Sequence, residues 1–263
     1  MNTDTERAAR AAALLLAVRR GAPRLAALPV ECAPRVAAEA YAIQDAVLAA
    51  RARGRTRISA WKATLADPST GTSAPIPESD LLTAPAVIAP GKSGTVGTSV
   101  FGIEPEIAFR VGATLEPRAV AYTRGEIATA LASAHTAIEI CVSRFVDHEA
   151  APPLDHLADA IMNEALVVGP AYGNWQQLDL PKLPVQVRVQ GKIVHEAAGG
   201  HPLGDPLAPV LWLANHLSRR GLALESGCFV TTGSFNGLRW IPAGQRCEVR
   251  FAGLGAAEVR FGD

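Results

Sequence analysis

The chain has 263 residues, and its 25 lysines and arginines match its 25 aspartates and glutamates, so the formal net charge is zero. That balance excludes a global field able to recruit nucleic acid or an anionic membrane surface. A hydrophobic fraction of 49% and a charged fraction of 19% describe a soluble globular chain, long enough for one large domain or for a domain with a helical annex.

The N-terminal run places Arg7 and Arg10 before AAALLLAV, the charged and apolar order of a signal peptide. Arg19 and Arg20 follow at once, no convincing small-x-small cleavage site appears, and the apolar run is too short to span a bilayer. An Ala-rich amphipathic helix over residues 4–20, ending at Gly21, accounts for the same residues, and the chain reads as cytoplasmic. A second helical pattern covers 34–53. Pro34 opens it, Gly54 closes it, and Val36, Ala40, Tyr41, Ile43, Val47 and Leu48 lie near one face. Arg57 to Lys62 reads as a strand, and 63–83, rich in Ser, Thr, Pro and Asp, as a long loop. The run GKSGTVG at 91–97 invites a phosphate-loop reading, but its spacing is wrong and a turn is expected.

Two glutamates one residue apart then appear in FGIEPEIAFR, and a third, Glu139, in TAIEICVSRF. Side chains at i and i+2 of a strand share a face, so Glu104 and Glu106 point together, with Ile103, Ile107 and Phe109 on the other face. Parallel carboxylates in apolar surroundings repel each other and are costly to desolvate. A hard divalent cation with oxygen ligands, Mg²⁺ or Mn²⁺, is the natural counter-charge if Glu139 completes the set. The competing reading is that E-x-E marks the wet face of an amphipathic strand, and spacing alone does not bring Glu139 to the pair.

Thr123 and Glu126 form a capping box for a helix through about His135. Val185, Val187 and Val189 alternate up to a turn at Gly191, with Ile193 and Val194 returning. Asp205 and Pro206 open a helix that Gly221 ends, its face carrying Leu207, Val210, Leu211, Ala214 and Leu217. RCEVRF and AAEVRF flank the turn AGLG as a hairpin. Strands grouped in hairpins with helices to one side predict an α+β fold. Cys32, Cys141, Cys228 and Cys247 form no C-x-x-C pair and read as small core residues of a reducing compartment. His148 and His156 fall in a charged loop, and His195 and His216 have no acid at ligand spacing. His201, in GHPLGDP just before a helix, is open to a pocket-facing or a structural reading.

Laid out in order, YAIQDAV at 41–47, Trp61-Lys62, FGIEPEIAF at 101–109, AIEICVSRF at 137–145, VVGP at 167–170, GHPLGDPLAPVLWLAN at 200–215, TTGS at 231–234 and GLGAAEVRF at 253–261 carry a resemblance. The chain resembles the 2-hydroxypentadienoate (2-keto-4-pentenoate) hydratase and 4-oxalocrotonate decarboxylase family, within the wider fumarylacetoacetate hydrolase superfamily. The resemblance implies a mixed β-roll core over 84–263 and a smaller N-terminal helical region with its loop over 1–83. It implies a metal triad of Glu104, Glu106 and Glu139 holding Mg²⁺ or Mn²⁺, and it makes Lys62 the active-site lysine. Asp80 is a candidate second acid-base group, and Met162, Thr232, Gly233 and Ser234 are candidates for the substrate wall. The implied reaction is metal-dependent addition of water to a 2-hydroxydienoate, or 2-oxo-enoate, acid to give a 4-hydroxy-2-oxo acid. Decarboxylation of a 2-oxo-3-enedioate and a catalytically weak partner subunit are the alternatives. A homo-oligomer, possible association with a pathway enzyme, and no nucleic-acid or membrane partner complete the expectation.

The chain also departs from that pattern. Ala60 and Ala63-Thr64 stand where glycines flank the Trp-Lys pair. Val142 stands where an Asp precedes Ser143-Arg144. Asp159-Ala160-Ile161-Met162-Asn163-Glu164 replaces D-N-x-S-x-G, so a remodelled substrate wall is expected around Met162 and Glu164.

Overall fold

Residues 3–51, 57–67, 69–89 and 97–262 are described by the computed structural model. Both Ala-rich patterns become helices, α1 (Thr3–Arg19) and α2 (Ala37–Arg51). Ala8, Ala11, Ala12 and Leu15 meet Ala40, Tyr41 and Ile43 in an apolar cluster of their own, closed by Leu28, Cys32, Phe145 and Leu157. Alanine at the contact lets two helices approach closely.

Strands β1 (Ile58–Leu65) and β2 (Gly71–Pro77) pair antiparallel, and β3 (Leu81–Thr83) and β4 (Ala86–Ile88) follow. The stretch 63–83 is therefore mostly strand, a correction to the long loop that its composition predicts. The reason is position: β2 is an edge strand of its sheet, where Pro75 and Pro77 need give up no central ladder bond. Asp67 accepts from the backbone N–H groups of Ser69 and Thr70, which tightens the connection. The phosphate-loop candidate 91–97, apart from Gly97, and the Gly54 stop lie outside the described residues.

Strand β5 (Val100–Val111) comes next, then α3 (Arg124–Ala130) and β6 (Leu131–Cys141). The Thr123–Glu126 capping box forms as predicted. The helix stops at Ala130 rather than His135, because from Leu131 onward the chain pairs antiparallel with β5. Ladder bonds across the sheet override local helix preference there. A short helix α4 (Pro153–Ala158) precedes β7 (Asn163–Val168), and β8 (Pro184–Val189) and β9 (Lys192–Ala198) form a tight hairpin. Its two turn residues, Gln190 and Gly191, both have positive φ, as a two-residue turn matching strand twist requires. Helix α5 (Leu207–Arg219) starts where Asp205 accepts from the Leu207 N–H and stops before Gly221 at φ +71. Then come β10 (Phe229–Thr231), β11 (Arg239–Pro242) and the hairpin of β12 (Arg246–Phe251) and β13 (Gly255–Phe261).

The strands make two mixed sheets, and the α+β expectation holds. An eight-stranded sheet runs β2-β1-β10-β5-β6-β7-β3 with β11 beside β5, and a five-stranded sheet runs β4-β13-β12-β8-β9. Strands β1, β2 and β3, all before residue 84, belong to the larger sheet. Period-two alternation assigns the faces of β5. Phe101, Ile103, Ile107 and Phe109 enter the main core with Val185, Val187, Val249, Phe251, Val259 and Phe261 of the smaller sheet. Phe101 stacks on Phe261 with ring centroids 4.5 Å apart. Each such buried side chain stabilises the fold by roughly 1.5–3 kcal/mol. The other face carries Ala108 beside Ala60, Ala137, Ile76, Leu166 and Val168, a second apolar layer. Among the described residues no helix is long and apolar enough to cross a membrane.

Candidate active site

Register brings the acids together. Antiparallel pairing sets Glu104 directly opposite Glu139 and Glu106 opposite Ala137, so the non-local link that spacing could not supply comes from the β5–β6 ladder. A proline between the two glutamates is unexpected on a central strand. It is tolerated because the neighbour on that side is split: β11 pairs with Val100–Ile103 and β10 with Ala108–Arg110. Pro105 lies in the gap, where its carbonyl accepts from the Phe235 N–H.

The same gap admits the segment after β10. The backbone N–H groups of Thr232 and Gly233 both donate to Glu106 Oε2, at 2.9 and 3.0 Å. Gly233 has φ +99, a conformation that glycine adopts without strain. His201 supports this turn from behind, its Nε2 2.7 Å from the Thr232 carbonyl, so that nitrogen is the donor. The structural reading of His201 is the one realised. Ser234 donates to the Gly237 carbonyl within its own turn.

Lys62 reaches the acids from β1. Its Nζ lies 2.9 Å from Glu139 Oε1 and 3.3 Å from Glu104 Oε2, and donates to the Ile161 carbonyl at 3.2 Å. Glu106 and Glu139 are fully buried, Lys62 nearly so, and Glu104 is the partly open member. Asn163 Nδ2 donates to Glu139 Oε1 at 2.9 Å.

Three carboxylates face one ammonium. Burial, then the charges of Glu139 and Glu104, push the Glu106 carboxyl well above the usual range. Burial also raises Glu139, against the pull of Lys62. For Lys62 burial acts downward, but the combined attraction of Glu139 and Glu104 outweighs it and holds the ammonium well above its usual value. Glu106 Oε1 and Glu139 Oε2 are buried with no hydrogen-bond partner among the described residues. A buried acceptor left without a donor costs about 1–3 kcal/mol, more when charged. A divalent cation would meet both deficits, of charge and of partners, and an all-carboxylate oxygen set suits a hard ion. The residues fit the group.

Cys141 is buried in the core as its sequence context predicts, and it also borders the acids. All four cysteines are buried free thiols, but Cys141 Sγ lies 3.6 Å from Glu104 Oε2, and one ligand atom each from Glu104, Glu139 and Cys141 fall within 4.8 Å of one another. Glu106 is beside that tight group rather than in it. Burial, then the charge of Glu139, push the Cys141 thiol well above its usual value. Its position two residues after Glu139 is the same i, i+2 signal that linked Glu104 to Glu106.

The Ile161 carbonyl owes its place to an unusual turn. Ala160, Ile161 and Met162 have φ of 55, 53 and 61, three consecutive non-glycine residues in the left-handed region. That conformation costs roughly 1–2 kcal/mol per residue, and a β-branched residue resists it most. Met162 is buried at the end of this turn, immediately before Asn163. Asp80 lies elsewhere: its carboxylate is 2.7 Å from Arg51 Nη1 and accepts from Ser79. Among the described residues no hydrogen bond or ion pair joins it to the triad or to Lys62. His156, expected in a charged loop, lies instead on α4. Burial and then the nearby Lys62 charge push its imidazole below the usual value.

Residues 55–261 match the fumarylacetoacetate (FAA) hydrolase C-terminal family. A 4-oxalocrotonate decarboxylase of Pseudomonas putida is 33% identical over 105 residues, 40% of this chain and 40% of that protein. That match spans only about two fifths of the relative's length. A 2-keto-4-pentenoate hydratase of Paraburkholderia phymatum is 26% identical over 263 residues, 99% of this chain and 100% of that protein. In three dimensions, 4-oxalocrotonate decarboxylase from Pseudomonas putida G7, solved with magnesium and adipate, superposes with a TM-score of 0.81 at 23% identity, over 97% of both chains.

Proposed function

The chain belongs to the fumarylacetoacetate hydrolase family, and from that membership and its carboxylate cluster we propose that it is a divalent-metal-dependent lyase that hydrates a 2-hydroxydienoate or 2-oxo-enoate acid. One observation carries the reading. Glu104, Glu106 and Glu139 converge on a buried face with a single ammonium, and two of their oxygens have no partner among the described residues. The relatives' names supply the substrate class, a 2-keto-4-pentenoate.

Glu104, Glu106 and Glu139 are the residues that would hold Mg²⁺ or Mn²⁺, and the cation would supply Lewis-acid polarisation of a 2-oxo acid. The Thr232 and Gly233 N–H groups keep Glu106 aimed at that position. Lys62 Nζ, kept as an ammonium by Glu104 and Glu139, donates a proton or a hydrogen bond where negative charge develops on the substrate. From the dienol, the enol oxygen gives up its proton and carbon 5 gains one, forming the 2-oxo-3-enoate; water then adds across that double bond, hydroxyl at carbon 4 and hydrogen at carbon 3. Ala60, Ala108 and Ala137 floor the site with apolar surface that excludes bulk water. Met162 and Ser234 belong to the proposed substrate wall. Asp80, engaged by Arg51, acts in this reading only if the substrate displaces that contact. Self-association and a reducing, cytoplasmic setting accompany the proposal, the latter supported by four free thiols.

Decarboxylation of a 2-oxo-3-enedioate on the same residues is the second reading, favoured by the decarboxylase likeness over nearly the whole fold. The deciding experiment follows the ultraviolet decay of freshly generated 2-hydroxypenta-2,4-dienoate with Mg²⁺ or Mn²⁺, and again with EDTA. Metal-dependent decay to a 4-hydroxy-2-oxo acid is expected, and Glu106→Gln should abolish it; a fully active Glu106→Gln would sink the proposal. Release of CO₂ from a 2-oxo-3-enedioate without hydration would establish the second reading. Bound metal without turnover of either substrate class would point to a partner subunit.

A further inference from the structure

The left-handed turn at 160–162 supplies the Ile161 carbonyl to Lys62 and sets, directly after it, the Asn163 amide on Glu139. Three non-glycine residues do not hold such a conformation by local preference. What holds it is a buried cluster of ions behind the site. Arg144 spans both ends of the turn. Its backbone N–H donates to Asp159 Oδ2 at 3.0 Å and its Nε lies 3.1 Å from Asp159 Oδ1. Its Nη2 donates to the Asn163 carbonyl at 2.9 Å and to Glu164 Oε2 at 3.1 Å.

A second guanidinium repeats the grip from far away in sequence. Arg19, the last residue of α1, sends Nη1 to Glu164 Oε2 at 2.6 Å and Nη2 to the Asn163 carbonyl at 3.1 Å. Arg19 is 4% exposed, as is Glu164, and Arg144 is 1% exposed. Arg19 thus grips the carboxylate oxygen and the carbonyl oxygen with the two prongs of its fork, a use of planar, pre-organised donors that lysine cannot reproduce, while Arg144 reaches the same two oxygens with Nη2 alone. Packing alone does not seal the turn. A cavity of about 30 Å³, lined by Arg19, Gln44, Arg51, Asp159, Ala160 and Asn163, lies beside it.

We propose that Arg19 and Glu164 are positioning residues: they lock the turn at 160–162 and so place the Ile161 carbonyl on Lys62 and the Asn163 amide on Glu139. Helix α1 is thereby part of the active-site construction rather than a separate cap. The catalytic consequence rests on the proposed lyase reading; the geometric consequence does not.

The test uses the full chain and two readouts. The first, in EDTA and without substrate, is the rate at which acetic anhydride modifies the Lys62 amine, followed by mass spectrometry. The second is kcat on the dienoate at saturating Mg²⁺. Glu164→Gln keeps the shape and removes the charge, and it should label several-fold faster at Lys62 and lose about 10- to 100-fold in kcat. Adding Ile161→Gly to Glu164→Gln should restore slow labelling, because glycine adopts the left-handed conformation without the penalty that the clamp offsets. Arg19→Lys, which keeps the charge but loses the fork, should move both readouts in the same direction and serves if Glu164→Gln does not fold. Wild-type labelling in a folded Glu164→Gln or Arg19→Lys protein would overturn the proposal, as would faster labelling that Ile161→Gly leaves unchanged. Failure of the lyase reading alone appears differently: no wild-type turnover, with the labelling differences intact.

Discussion

Lys62 is the only cation among the described residues within ion-pair distance of Glu104 and Glu139. Removing one partner of a buried ion pair costs about 3–5 kcal/mol, because it strands the other charge. Lys62→Met should therefore lose turnover and, in EDTA, much of its thermal stability. It should also gain more from added Mg²⁺ than the wild type does, since its carboxylates have no other counter-charge. Melting curves with EDTA and with saturating Mg²⁺ check this, and equal metal-induced shifts in both proteins would contradict it. At this scale the side chains were largely legible. Period-two alternation found Glu104 and Glu106, and the apolar run around Glu139 marked it as buried. The Ile161 carbonyl was not legible, since a backbone acceptor leaves no residue signature and Ala-Ile-Met has no preference for a left-handed turn. Asp80 illustrates the converse: an acid in a plausible stretch whose partner, Arg51, is fixed only by tertiary packing.

Elements were legible where local chemistry and tertiary pairing agree. The capping box of α3, the β8–β9 turn and the Asp205–Gly221 limits of α5 are local, and they form as read. The stop of α3 at Ala130 and the strand at 71–77 are set by partners far along the chain, so their composition misleads. Helix α5 also carries an unannounced contact with α2. His216 stacks on Trp212 at 4.6 Å between ring centroids and tilts against Tyr41 at 5.0 Å, while Arg220 covers the Tyr41 ring and lies 3.2 Å from Asp45. Burial first, then Arg220 and Arg219, hold the His216 imidazole down to about 4. A folded value below the unfolded one, about 6.5, means the neutral ring contributes stability that is full above about pH 6.5 and is lost as pH falls toward about 4. Solvent screening at this partly open position reduces the effect to about 1–2 kcal/mol. His216→Phe keeps the stack and removes the titration. Urea midpoints compared between about pH 7 and about pH 4.5 should fall less in the variant than in the wild type. Parallel declines would remove His216 from the acid sensitivity of the α2–α5 contact.

At the scale of the molecule, two apolar bodies support the strands and the turn that carry the site. The core between the sheets fixes one face of β5, and the helical cluster of α1 and α2 closes over Phe145 and Leu157, which flank the residues that clamp the turn. A cation that binds only the folded chain stabilises it by about 2.7 kcal/mol at a hundredfold excess over its dissociation constant. In a chain of this size that amounts to a rise in melting temperature of about 2–4 °C per kcal/mol. Where the added protection falls is the more telling quantity. Glu139 is tied to Asn163, Asn163 to Arg19 and Arg144, and Arg19 to the end of α1. If the ties transmit order, Mg²⁺ should slow amide hydrogen exchange along β5 and β6 and also in the last turn of α1, which none of the proposed ligands touches. Arg19→Lys should keep the first effect and lose the second. Protection confined to the strands in both proteins would mean that α1 only covers the sheet, and that the ion cluster fixes the turn without carrying order from the metal to the helix.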